Sequence, residues 1–91
     1  MSISISATDF DAVAAILSGD EMYRLGIAAS VGEEGGVDLV TAHKWFNLAA
    51  MMGNVDARQY RAEVAVEMSA DEIAQAQRLA REYLRLHPRA A

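Results

Sequence analysis

Apolar residues recur along most of this chain at intervals of three and four, the spacing that gathers them on one face of an α-helix. Phe10, Val13, Ala14 and Leu17 form the first such set. Thr8 with Asp11 three residues on has the form of a capping box, and Gly19 stands where a terminal glycine would close the segment. The pattern predicts a short helix over 8–18, after a disordered stretch over 1–7. A second helix should begin near Asp20, carry Met22, Leu25 and Ala29 inward, and stop in the loop VGEEGGV, where clustered glycines oppose helix continuation. Asp38 is placed to cap a third. There Leu39, Ala42, Phe46 and Ala49 mark one face while Trp45, Leu48 and Met52 mark an adjoining one, so this helix should be covered from two sides, with Trp45 buried between neighbours.

Gly53 then suits a left-handed helix end, and Asn54 or Asp56 a new cap. A fourth helix follows through Ala57, Tyr60, Val64 and Met68. Ser69 and Glu72 form the strongest capping box of the chain, opening a fifth helix from Ala70 to about Leu86, with Pro88 preventing much extension. Strict alternation occurs only in SISIS near the start, so no sheet is expected and the fold class is all-α.

An internal repeat is visible at an offset of about 36 to 38 residues: Ala42, Trp45 and Phe46 fall against Ala80, Tyr83 and Leu84. Two helices per repeat of this length indicate an α-solenoid, in which each helical hairpin buries its apolar face on the next. The residues then show a closer likeness. Leu25-Gly26, Gly32, Asp38, Ala42, Trp45-Phe46, Ala49-Ala50, Gly53 and Ala57 resemble the pattern of the Sel1-like repeats, relatives of the tetratricopeptide repeats. The match covers Glu21 to Ala57. Glu21 and Ala29 depart from the pattern, Glu34 takes a glycine's place, and from residue 58 onward the likeness is weak. The resemblance implies a short α-solenoid of helix-turn-helix hairpins: one full repeat over 20–57 and a degenerate, capping one over 58–87, within a single domain spanning 1–91.

What such a likeness implies is a protein-interaction module, an adaptor or accessory subunit that holds a protein partner in the groove between successive first helices. On this chain that groove would be lined by Arg24, Ile27 and Ala28 on one helix and Gln59, Tyr60 and Glu63 on the next. The alternative is that Ile27 and Tyr60 are core. A second candidate surface is the outward face of the third helix, with His43, Lys44 and Asn47 beside Val40 and Met51, since methionine suits adaptable binding surfaces. A different functional class is also open: a self-associating structural protein whose solenoid ends stack on copies of themselves. The helical segment before Gly19 and the long last helix have the character of end caps, which favours a monomer or weak dimer binding something else.

Composition narrows the classes. A net charge of -5 argues against general affinity for nucleic acid or an anionic membrane. Seven acids stand against Arg24 in residues 1–43, whereas seven bases meet six acids over 44–91. No cysteine is present, so neither disulfides nor thiolate metal sites supplement the core, in keeping with a cytoplasmic chain. No leader or membrane-spanning pattern is evident.

Catalytic patterns are poor, and no enzyme, cofactor or metal is expected. His43 and His87 are far apart and lie in no metal-binding motif. Ser18, Ser30 and Ser69 sit near helix boundaries, where capping explains them better than nucleophilic chemistry. Glu33, Glu34 and Asp38 lack the arrangement of a calcium loop, so a solvated turn is the better account. Arg78, Arg81 and Arg85 could be read as a phosphate contact, but basic residues toward a helix C-terminus are favoured by its dipole, and Asp71 and Glu82 dilute the stripe.

Overall fold

The computed structural model describes residues 17–33 and 35–88. These form four α-helices: α1 Gly19–Val31, α2 Leu39–Met51, α3 Val55–Val66 and α4 Ala70–Leu86. Among the described residues there is no strand. The helix expected over 8–18 lies outside them, apart from Leu17 and Ser18.

Gly19 does not close a preceding helix as its glycine character suggested; it is the first residue of α1. Ser18 is responsible. Its hydroxyl accepts the Glu21 N–H at 3.0 Å, and the Glu21 carboxylate accepts the Ser18 N–H at 2.8 Å, so two N-terminal donors are satisfied reciprocally. The helix ends at Gly32, whose φ of 76° is left-handed and whose N–H donates to the Ala28 carbonyl. A Cβ at Gly32 would also stand 2.9 Å from the Gly36 and Val37 backbone. The Asp38 N–H, donating to the Ala29 carbonyl at 3.0 Å, draws the chain back against α1.

Asp38 then caps α2, one carboxylate oxygen accepting the Thr41 N–H at 3.0 Å and the other its hydroxyl at 2.7 Å. At the far end, the Gly53 N–H donates to Ala50 and the Asn54 N–H to Ala49, the paired bonds of a Schellman motif, with Gly53 at φ 96°. Asn54 caps α3 through the Ala57 N–H. Ser69 and Glu72 form the reciprocal box that opens α4. Of the three serines read as caps, Ser18 and Ser69 are caps; Ser30 instead donates to the Ile27 carbonyl in the last turn of α1.

The helices are arranged around α2, which packs extensively on α1, α3 and α4, while no other pair does so. Its direction relative to α1 follows from three points. A Cβ at Gly19 would be 3.2 Å from the Met52 side chain, one at Gly26 would meet the Phe46 ring, and Ala29 is bonded to Asp38. The two helices are therefore antiparallel. Phe46 also stacks on Tyr60 at 5.7 Å, Arg61 donates to Asn47, and Asn54 bonds back to Ala49, which makes α3 antiparallel to α2 as well. It follows that α1 and α3 run parallel. Their N-terminal ends are joined where the Asn54 amide donates to Asp20 at 2.8 Å.

The core consists of Met22 from α1, Ala42, Phe46, Leu48 and Ala49 from α2, Ala57 and Val64 from α3, Met68 after it, and Ala76 and Ala80 from α4. Two-sided burial of α2 thus matches its two apolar faces, but the roles of its aromatics differ from expectation. Phe46 is fully buried, whereas Trp45 is half-buried at the edge, its ring 5.2 Å from Tyr83. The reason lies opposite each ring. Phe46 meets Gly26, where the missing side chain lets it reach the helix surface; Trp45 faces the more open side of α1.

Phe46→Ala is expected to destabilise the domain by about 3–5 kcal/mol, and Trp45→Ala by roughly 2 kcal/mol because its ring is only partly removed from water. Gly26→Ala would place a Cβ 2.6 Å from the Phe46 ring. Overpacking of about 1–3 kcal/mol should outweigh the ~1 kcal/mol gained in helix propensity. Urea unfolding of the three variants checks this order; a Trp45 variant weaker than the Phe46 variant would contradict it.

Candidate functional site

The two sides of α1 present different surfaces. On one, Tyr23 reaches toward α3 and its ring meets Tyr60 edge-on at 5.6 Å, while also lying 6.0 Å from Phe46. Burial raises the Tyr23 phenol above the usual tyrosine range, reinforced by the neighbouring Tyr60 phenol and by the Asp56 charge. Ile27 is one helical turn beyond Tyr23 and half-buried against the core, and Glu63 is bonded to Gln59 on α3. The result is a seam between parallel helices, closed at one end by Asn54 and Asp20 and lined further along by the two tyrosines. Tyr60 remains 38% exposed, so its ring contributes both to the core beneath and to the surface above.

On the other side, Leu25, Ala28 and Ala29 of α1 face Trp45 and Thr41 of α2 across an open hollow of about 560 Å³. A second hollow of about 400 Å³, bounded by Leu17, Glu21 and Arg24, shares Leu25, Ala28 and Glu33 with the first. Together they make one trough with an apolar floor and a charged rim. The carboxylates of Glu21 and Asp38 are held below the usual range, chiefly by the backbone N–H groups of Ser18 and Thr41 that they accept.

The six residues expected to line one groove are therefore divided. Ile27 and Tyr60 belong to the seam, with Gln59 and Glu63 exposed along α3; Arg24 and Ala28 border the trough. The outward face assigned to α2 is not formed as expected. His43 is buried, only 4% exposed, Asn47 receives the Arg61 guanidinium, and Lys44 is drawn over the Trp45 ring, 4.4 Å from its centroid. Burial lowers the Lys44 ammonium from its usual range. Val40 is half-buried at the start of α2 and Met51 is exposed at its end. The cause is that α3 reaches this face through Arg61 and α4 brings Tyr83 beside Lys44, so α2 has three neighbours where a two-neighbour stack would leave a flank open.

Sequence reasoning missed Tyr23 and the Asp20 to Asn54 bond. A signal was present, because Tyr23 and Tyr60 are 37 residues apart, within the offset at which the sequence repeats. Trp45 and Tyr83, matched by the same offset, are also in ring contact. No group of three His, Asp or Glu side chains suited to a metal ion occurs among the described residues, and no described helix is long and apolar enough to cross a membrane. Arg85 of the basic stripe pairs with Glu82 on its own helix. No family model matches the chain, and neither does a curated protein or a solved structure.

Burial of His43 has a measurable consequence. Its Nδ1 has no hydrogen-bond partner among the described residues, and desolvation, followed by the positive charge of Arg61, lowers its pKa. A lowered folded-state pKa means that the folded form binds fewer protons than the unfolded one. Stability is therefore full above about pH 6.5 and declines as the pH falls from there toward the depressed value. His43→Leu should abolish this decline, leaving only losses below about pH 4.5 as the capping carboxylates protonate. Urea titrations of both proteins between those limits provide the check; parallel curves would count against a neutral, buried imidazole.

Proposed function

We propose that this chain is a protein-interaction module of the short α-solenoid type, an adaptor or accessory subunit acting in the cytoplasm, that binds a segment of a protein partner along the seam between α1 and α3. The observation that carries the reading is the pair Tyr23 and Tyr60, a shared aromatic surface between two parallel helices. Aromatic side chains with a polar tip supply contact area at little conformational cost, and both remain partly accessible. Gln59 and Glu63 are exposed polar groups on α3, and Arg24, which borders the trough, is an exposed base next to Tyr23 in the chain, suited to steer a partner toward α1.

The parallel course of α1 and α3, and the contact of Trp45 with its repeat counterpart Tyr83, support the resemblance to Sel1-like repeats. The second unit is degenerate in a definite way. Ala62, which stands where the first unit has Gly26, is exposed, and α4 packs on α2 instead of repeating the hairpin contact on α3.

The test combines capture from a native extract with kinetics on the captured partner. Rim charge mainly governs encounter, so Arg24→Ala should slow association and flatten its salt dependence. Gln59→Ala and Tyr60→Ala should speed dissociation, by about tenfold for each 1.4 kcal/mol lost. Because Tyr60 stacks on Phe46, each variant is first compared with wild type by thermal melting. Correctly folded variants that all bind like wild type would remove the seam as the site, and a chain that only associates with itself would replace the adaptor reading.

A further inference from the structure

The seam between α1 and α3 has two unlike margins, and their difference specifies what would lie along it. Acids and bases are segregated around α3. Asp56, Glu63 and the capping residue Glu67 recur with Tyr60 at intervals of four, three and four, which sets all four residues on one stripe. The two bases of the helix lie elsewhere. Arg61 is turned to α2, where it donates to Asn47, and Arg58, two residues before Tyr60, stands round the helix from it.

The stripe borders the seam, because Tyr60 meets Tyr23 across it and the Asp56 charge acts on the Tyr23 phenol. All three carboxylates are exposed. The one ion pair formed among the described residues joins Glu82 and Arg85 on α4, so none of the three has a basic partner there; Glu63 accepts only the Gln59 amide, at 3.3 Å. Opposite them the margin on α1 is apolar. Tyr23 is followed at successive intervals of four by Ile27, half-buried, and Val31, which is 62% exposed. Since the helices are parallel, the acidic and apolar margins run from the tyrosine pair in the same direction.

We propose that the seam takes an amphipathic basic segment of another protein, with its apolar edge on Ile27 and Val31 and its Lys or Arg side chains against Asp56, Glu63 and Glu67. This rests on the reading of the seam as a binding surface and adds the chemistry of the partner. Charge complementarity carries it: a margin of like charges with no counter-charge favours a row of cations and rejects an acidic segment. Tyr60 adds to the preference. One face of its ring is stacked on Phe46, and a cation set over the other gains attraction from the aromatic ring. Arg24, beyond the apolar margin, keeps its steering part by meeting an acid on the segment's other edge.

Two fluorescein-labelled peptides test this by anisotropy: a short amphipathic helix of Leu and Ala with lysines along one edge, and the same sequence with glutamates in their place. The lysine peptide should bind at least about tenfold more tightly. Asp56→Asn combined with Glu63→Gln and Glu67→Gln should weaken it by on the order of threefold for each carboxylate and flatten its salt dependence. Glu33→Gln combined with Asp71→Asn and Glu82→Gln makes the same change of net charge away from the seam and should leave binding close to wild type. All six positions are exposed, and thermal melting verifies that each variant is folded. Equal losses in the two triple variants would reduce the attraction to one for any acidic surface and overturn the proposal, as would a lysine peptide that does not bind. Tyr60→Leu, which keeps an apolar side chain on Phe46, separates this proposal from the reading beneath it. If it weakens both peptides alike, the seam stands and the basic partner falls; if lysine-peptide binding ignores it, the seam falls too. Self-association lost both in the seam variant and in Arg78→Gln combined with Arg81→Gln would make the occupant α4 of a second copy and sink the idea.

Discussion

The structure depends on the contact between Phe46 and Gly26. The Phe46 ring approaches α1 where that helix has no side chain, and the ring's atoms occupy the space a Cβ would need. This close approach brings α2 against α1 and buries Met22 and Ala49 beside it. It also positions the outer surface of Phe46 for Tyr60, so α3 is set by the same ring. Burial of a side chain of this size is among the larger favourable contributions available to a chain of 91 residues.

Because α2 is the common neighbour, its small residues matter as much as its large ones. Ala42 and Ala49 are completely buried, as are Ala57 and, almost, Ala80 on the helices packed around it. Short side chains at these positions let helix backbones come close, leaving Phe46, Leu48 and Met22 to fill the remaining space. His43 is the exception in this interior. Its unpaired nitrogen is a cost of covering α2 on so many sides, and it binds folding to the neutral form of the imidazole.

The two sides of α1 take different parts in the molecule. Toward α3, aromatic rings and the Asn54 to Asp20 bond tie neighbouring helices without extensive packing, which leaves a surface of mixed polarity. Toward Trp45, the helix borders a trough that Leu17 bounds at one end. Arg24 borders this trough, in the acidic half of the sequence, where its charge has no basic competitor.

Much of the fold was legible from residues alone. Helix ends were the clearest part, because a capping box, an Asx cap or a left-handed glycine acts over three or four residues and does not depend on the rest of the molecule. Asp38, Gly53, Asn54 and the Ser69 box occupy the places that their chemistry assigns. The all-helical class followed from periodicity, which is local too. Site residues were legible only in part: Tyr60 was identified and Tyr23 was not. Tertiary structure alone decided which apolar face of α2 would be deepest, since Trp45 and Phe46 are adjacent and both are large. Gly26 made that choice by lying opposite Phe46, a relation across twenty residues that no local pattern encodes. The same holds for His43, polar by type yet enclosed by the packing of helices around α2, because burial is a property of what surrounds a residue and sequence spacing specifies only which residues share a face.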